Sequence, residues 1–225
     1  MRMRRKPYAR PELEASFINI NNPLDFYGKW ASVFDRRAPI HLELGCGKGG
    51  FTAKLAAANP DINYLAIDIK SEVLVLAKRN IEAEFQRAGR NIDNVFIMSA
   101  DIERIDMVFS ETDTVDRIYI NFPNPWPKDR HKKRRLTHTR QLIKYREFLK
   151  DDGEIYFKTD SSELFDESLD YFKESGFKIT FLTRDLHRER PQENIMTEHE
   201  KMFSEIGIPI KMLVAEKISG GFSNV

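Results

Sequence analysis

The sequence predicts an α/β protein whose mainly parallel sheet is covered on both faces by helices. Short apolar runs alternate with stretches of helical period through the first five strands. A glycine-rich turn, Gly45-Cys46-Gly47-Lys48-Gly49-Gly50, joins the first strand to its helix. Acidic residues recur at strand ends, where open α/β sheets keep their ligands.

Residues 1–23 read as a basic, mobile N-terminal arm with Arg2, Arg4, Arg5, Lys6 and Arg10, ending at Asn21-Asn22-Pro23; residues 24–225 read as a single domain. A short helix is expected over 24–35, where Leu24, Tyr27, Trp30, Val33 and Phe34 fall at helical spacing. Ile40 to Leu44 is a buried strand, 49–58 a helix stopped at Asn59-Pro60, and Asn63 to Asp68 the next strand. The stripe Val73, Leu74, Ala77, Ile81, Phe85 makes 71–88 a helix closed by Gly89. Val95 to Met98 is a strand, 102–109 a short helix, and Val115 to Asn121 a strand. A helix over Thr137 to Leu149, a turn at Asp152-Gly153 and a strand over Glu154 to Lys158 follow. A helix over 161–174 ends at Gly176, and Phe177 to Thr183 and Ile210 to Lys217 close the sheet, with a helix over 197–205 between them. That makes seven strands; parallel neighbours joined through helices require crossovers, which are right-handed.

Hydrophobic residues at 41% and charged residues at 32% describe a globular chain able to bury a full core. The net charge of only +1 means that a polyanion site must come from local clustering. The single cysteine, Cys46, excludes an internal disulfide framework and a multi-cysteine zinc site, and fits a reducing, cytoplasmic setting. The histidines show no metal-ligand spacing, so no metal is expected. No apolar run approaches the roughly 18 residues of a membrane span, so no membrane contact is expected. A monomer is the default, with a homodimer possible.

At the first strand end, Glu43 stands two residues before Gly45, and Gly45 and Gly47 allow a sharp turn and close approach of a ligand. Asp68 ends the second strand at the ribose-binding position of nucleotide folds, and Asp101 follows the third. Gly45, Gly47 and Gly50 also satisfy the dinucleotide pattern, with Asp68 about 20 residues on. Glu43 and Asp101 would add negative charge beside a pyrophosphate, however. The same acids suit S-adenosylmethionine, whose sulfonium is positive and which carries no phosphate. Asp68 or Asp101 taken singly also suits a helix N-cap.

The fourth strand runs into Asn121-Phe122-Pro123-Asn124-Pro125-Trp126-Pro127. Each proline fixes its own φ and drives the residue before it out of helical space. Asn121 and Asn124 offer amide dipoles, and Phe122 and Trp126 offer faces on which a base can stack, though a rigid packed corner would use the same residues. Six Lys or Arg fall within the next eight residues, 128–135, which suits a nucleic-acid backbone. Arg184, His187, Arg188 and Arg190 form a further positive patch, read as a solvated loop in preference to an RNA contact.

With these residues the sequence closely resembles the tRNA (guanine-N7-)-methyltransferase family. The matching pieces are Leu42-Glu43-Leu44-Gly45-Cys46-Gly47, Ala66-Ile67-Asp68, Asn121 to Leu136, Phe157-Lys158-Thr159-Asp160, and Thr197 to Phe203. The resemblance implies a Rossmann-like, seven-stranded, mainly parallel doubly wound sheet of the class I methyltransferase type. It implies a methyl group passed from S-adenosylmethionine to N7 of guanosine at nucleotide 46 of the tRNA variable loop. Carried over by position, the cofactor site is Glu43, Gly45, Gly47, Asp68, Asp101 and Asn124, and the substrate site is Lys128, Asp160, Thr197, Glu198, His199 and Glu200. The RNA contact is Arg130, His131, Lys132, Lys133, Arg134 and Arg135, with Glu193-Asn194 at the pocket border. The chain departs from the family at Asn124, where many members have an acid, and at Asp68, where they have Glu.

Guanine N7 carries a lone pair and no proton, so its methylation needs no general base. It needs the nucleophile held in line and the developing charge stabilised. Asn124 and Asp160 are therefore the expected catalytic residues, with Glu200 beside the base. Asp160 as N-cap of the helix that follows is the competing reading. Other readings are a different S-adenosylmethionine-dependent RNA or amine methyltransferase, a dinucleotide oxidoreductase, and a non-catalytic RNA-binding protein of the same fold.

Overall fold

The computed structural model describes residues 6–189 and 194–219. Arg2, Arg4 and Arg5 of the basic arm, and Arg190 and Glu193, lie outside the described residues. The chain divides into two compact units, Met1–Asp113 and Thr114–Val225.

The first unit holds β1 (Asn19–Ile20), β2 (Ile40–Leu44), β3 (Asn63–Asp68) and β4 (Val95–Ser99), ordered β1-β4-β3-β2 and parallel throughout. Every residue of β2 is buried, the continuous apolar habit of a strand covered on both faces. Helices α1 (Ala9–Glu14), α2 (Gly50–Ala58) and α3 (Ser71–Ala88) are stitched to the sheet by one core. Leu13 of α1, Ala53 and Ala56 of α2 and Leu74, Ile81 and Phe85 of α3 join Tyr64, Ala66, Val95 and Ile97 of the strands. Gly89, at φ +63, ends α3 as expected, with Arg90 N–H returning to Phe85 O.

The segment expected to be a mobile arm carries α1 and β1. Ala9 and Leu13 are buried, and Glu12 pairs with Arg79 of α3 at 2.7 Å. Two buried apolar side chains were too few to show as a stripe. The two residues of β1, paired to Ile97 and Met98, bring the strands among the described residues to eight. The helix expected over 24–35 is replaced by two 3₁₀ turns, Pro23–Phe26 and Trp30–Val33. Gly28 breaks it at φ +76, and the Asp113 carboxylate accepts from Gly28 N and Trp30 N, both at 2.9 Å.

The second unit holds β5 (Val115–Asn121), β6 (Leu149–Thr159), β7 (Phe177–Thr183) and β8 (Lys211–Lys217), ordered β5-β6-β8-β7. Strands β5 and β6 are parallel; β8 pairs antiparallel with both β6 and β7. Helices α4 (Thr139–Phe148), α5 (Ser162–Glu174), α6 (Leu186–Glu189) and α7 (Glu198–Glu205) complete it. The apolar face of α5 brings Phe165 within 6.1 Å of Phe157, centroid to centroid, and sets Phe172 edge-on to Phe177 at 5.7 Å. Strand β6 begins earlier than the sequence suggests because the chain leaves α4 already extended and passes through Asp152 at φ +62.

Candidate functional site

The parallel register of the first unit sets three acidic residues at neighbouring strand ends. Glu43 lies beside Ala66, and Asp68 beside Ser99, two residues before Asp101. The turn after β2 is held against β3, because Gly45 N and Cys46 N both donate to Ile67 O at 2.9 Å. Gly45 and Gly47 adopt φ +78 and +53, a region that costs other residues a steric penalty. Gly49, at φ +69, has a second constraint: a Cβ there would sit 2.6 Å from Ala77 Cβ of α3. A Cβ on Gly47 would meet nothing within 4 Å, so the turn is open beside the acids.

Asp68 is oriented by two backbone donors, Gly47 N at 3.1 Å and Lys70 N at 3.0 Å, one on each carboxylate oxygen. Each oxygen keeps acceptor capacity for a ligand hydroxyl. Glu43 is buried and accepts from the Thr52 hydroxyl of α2. Asp101 is exposed and caps the 3₁₀ turn Ile102–Met107, accepting from Glu103 N at 3.0 Å. Burial, then the charges of Glu43 and Asp68, push the Cys46 thiol well above its usual range, which makes it a packed turn residue and a poor nucleophile. Glycines open the turn, and three acids stand at the strand ends with Lys48 and Lys70 nearby, a set whose carboxylates suit a cationic nucleoside donor.

In the second unit Asn121 ends β5 opposite Lys158 of β6. The loop that follows places Phe122 at φ +50 and Trp126 at φ +41. Left-handed backbone at bulky residues costs about 1–3 kcal/mol each and persists where surrounding contacts impose it. Those contacts are specific. Phe122 N donates to Lys158 O at 2.9 Å, and its ring stacks on His199 and Phe203 of α7 at 5.8 and 6.0 Å. Asn124 Oδ1 accepts from Trp126 N at 3.2 Å, the Asx turn that shapes the loop. The Arg134 guanidinium lies 4.8 Å from the Trp126 ring centroid, with His131 at 5.7 Å.

The basic run is not one surface. Lys128, Arg130, Lys133 and Arg134 are exposed. Arg135, expected as an RNA contact, is 1% exposed. It donates to Pro125 O at 2.7 Å, to Glu167 at 2.7 Å and to Glu163 at 3.1 Å. Pulling this buried guanidinium away would forfeit all three acceptors, so it stays home. Lys132 likewise pairs with Asp129 at 2.9 Å and Glu167 at 2.8 Å. Hydrogen bonds that it donates to Glu167 and Asp129 hold its amine above the usual lysine range. The sequence does carry a sign of this: Glu163, Glu167 and Tyr171 recur at helical spacing as a face that suits cations.

Ser161, not Asp160, caps α5, accepting Leu164 N at 3.2 Å, so the capping reading of Asp160 fails. Glu200, expected beside the substrate base, is fully buried. Thr197 and Glu200 form a reciprocal capping box at the start of α7. Glu200 also pairs with buried Lys158 at 3.1 Å and accepts from Asn194 at 2.6 Å. Its oxygens are spent within the protein, which withdraws Glu200 and Thr197 from the groups offered to a substrate; Glu198 and His199 stay exposed. Lys158, to which the sequence assigns no role, is the pin that ties α7 to β6.

Among the described residues, no helix is long and apolar enough to cross a membrane, and no cluster of three or more His, Cys, Asp or Glu is placed to hold a metal. A family model described as "Putative methyltransferase" matches residues 37–213. The chain is 60% identical to a tRNA (guanine-N(7)-)-methyltransferase of Clostridium beijerinckii, over 96% of this chain and 99% of that one. It is 59% identical to one of Clostridium perfringens, over 97% and 100%. In fold it is similar to the solved structures of an antibiotic related methyltransferase (TM-score 0.57, 21% identity, covering 83% of this chain and 89% of that one) and of the 16S rRNA methyltransferase KamB (TM-score 0.61, 13% identity, 85% and 93%).

Proposed function

The chain belongs to the tRNA (guanine-N(7)-)-methyltransferase family, and we propose how its own residues methylate N7 of a guanosine in tRNA. The observation that carries the reading is the set of three carboxylates, Glu43, Asp68 and Asp101, at neighbouring parallel strand ends beside the open Gly45–Gly47 turn. S-adenosylmethionine, the donor this set suits, supplies a methyl group on a positive sulfonium. Asp68, steered by Gly47 N and Lys70 N, accepts the ribose hydroxyls. Glu43 contributes negative charge that favours a cation, and Asp101 accepts from the adenine amine.

On the substrate side no proton has to be removed from N7. Asp160 accepts from the guanine N1–H and exocyclic amine and holds the base in register. Asn124 turns its amide oxygen into the loop toward Trp126 N, and its remaining lone pair opposes the positive charge that grows on the purine. The part-exposed Trp126 ring stacks a base beside Arg134 and His131. Lys128, Arg130, Lys133 and Arg134 meet phosphates and position the RNA without reading its sequence. The proposal extends to guanosine 46 of the variable loop as the target, to a cytoplasmic monomer, and to a reaction that uses no metal.

Incubation of unmodified tRNA transcripts with the enzyme and methyl-labelled donor, then aniline treatment, tests this. Scission at nucleotide 46 and a cationic labelled nucleoside are the expected results. A neutral methylated nucleoside, or no label in tRNA, would refute the reading.

A further inference from the structure

We propose that Arg135 is a positioning residue for methyl transfer, whose buried guanidinium anchors the Pro125 carbonyl to α5 and so fixes Asn124 and Trp126. The inference rests on the functional reading above. One side chain serves three acceptors in two parts of the second unit: Nε to Pro125 O, Nη1 to Glu167 and Nη2 to Glu163. A planar fork can do this; an ammonium on a flexible stem cannot hold the same three directions.

The acceptors are themselves fixed. Glu163 and Glu167 lie one turn apart on α5, whose Leu164, Phe165 and Phe172 are in the core. Glu167 also accepts from Lys132 at 2.8 Å and from the Tyr171 hydroxyl at 2.9 Å. Burial acts to raise its pKa, but the hydrogen bonds from Lys132 and Tyr171 and the charge of Arg135 hold it below the usual carboxylate range, so it stays ionised. Pro125 has no N–H, so its carbonyl is the one polar backbone group by which this residue can be held. It stands between Asn124, whose side chain bonds Trp126 N, and Trp126, whose backbone is left-handed. The anchored carbonyl is thus at the centre of the strained segment that presents both side chains.

The test compares Arg135→Lys and Glu163→Gln with the wild-type full chain. It reads the single-turnover rate at saturating tRNA, the Kd for tRNA and the salt dependence of that Kd. Arg135→Lys is expected to slow methyl transfer tenfold or more, with Kd within about twofold and an unchanged salt slope. Glu163→Gln, at a half-exposed partner that tolerates change, is expected to slow it about threefold with the same split. If Arg135→Lys does not fold, Glu163→Gln decides alone. Rates within 1.5-fold of wild type in the folded variants overturn the proposal. A weaker Kd with a log–log salt slope shallower by roughly 0.7–0.9, the mark of one lost phosphate contact, also overturns it. Wild-type protein that forms no 7-methylguanosine refutes the functional reading, and the proposal with it.

Discussion

In the proposed mechanism Asp68 and Asn124 do different work through the same atom type, an oxygen oriented by backbone N–H groups. Asp68 is a carboxylate with spare lone pairs, so on the proposed reading Asp68→Asn removes the better acceptor for ribose while keeping the size. Calorimetry should show donor affinity at least tenfold weaker, with thermal stability little changed; equal affinity would take Asp68 out of the cofactor site. Asn124 has no charge to lose, and its oxygen also builds the Asx turn. Asn124→Asp keeps that bond and adds negative charge near the developing cation, so its single-turnover rate should match or exceed wild type. Asn124→Ala loses both and should fall about tenfold. Equal rates for the two variants would show that the dipole is irrelevant. The strand-end positions of Glu43, Asp68 and Asp101 were legible in the sequence, because apolar runs and the glycine turn suffice to place them. The burial of Arg135 and Glu200 was not, because a charged residue looks solvent-facing until its partners, Glu163 and Glu167 for the one and Lys158 for the other, are known.

Among the elements, α3 was readable to its ends, since its stripe and Gly89 are both local signals. The segment 24–35 was not: its apolar spacing is helical, but the cap that divides it comes from Asp113, over 80 residues away in sequence. Helix α4 has an unusual cap, His138 Nδ1 accepting from Arg140 N at 3.1 Å. Burial, then the positive charges of Lys133, Arg135 and Arg140, lower the His138 pKa from its ordinary 6.5. The unfolded chain therefore binds the extra proton first, and stability is lost as pH falls through about 6.5 toward the lower folded value. His138→Asn keeps a capping acceptor that does not titrate. Urea midpoints from pH 7.5 to 5.5 should fall less steeply in this variant than in wild type; parallel slopes would exclude His138 as a source. His138→Ala, with no acceptor, should cost about 1 kcal/mol at pH 7.5.

For the whole molecule, a net charge of +1 gives no global pull on a polyanion. Attraction to tRNA must rest on a few exposed cations, so affinity should depend on salt through a small number of contacts. Arg130→Ala and Lys133→Ala should each weaken tRNA binding and lower the log–log salt slope by roughly 0.7–0.9. An unchanged slope would move the RNA surface elsewhere, and the half-exposed patch of Arg184 and Arg188 would be the next place to look. The left-handed backbone at Phe122 and Trp126 bears on how this enzyme would respond to selection. Glycine at either position would relax the chain locally, while removing a ring from the loop proposed to present the base. At Phe122 the lost stack on His199 and Phe203 would offset that relief, but at part-buried Trp126 selection for heat survival alone would accept the replacement, at the expense of turnover. Laboratory evolution of this scaffold should therefore screen for product formation from its first round.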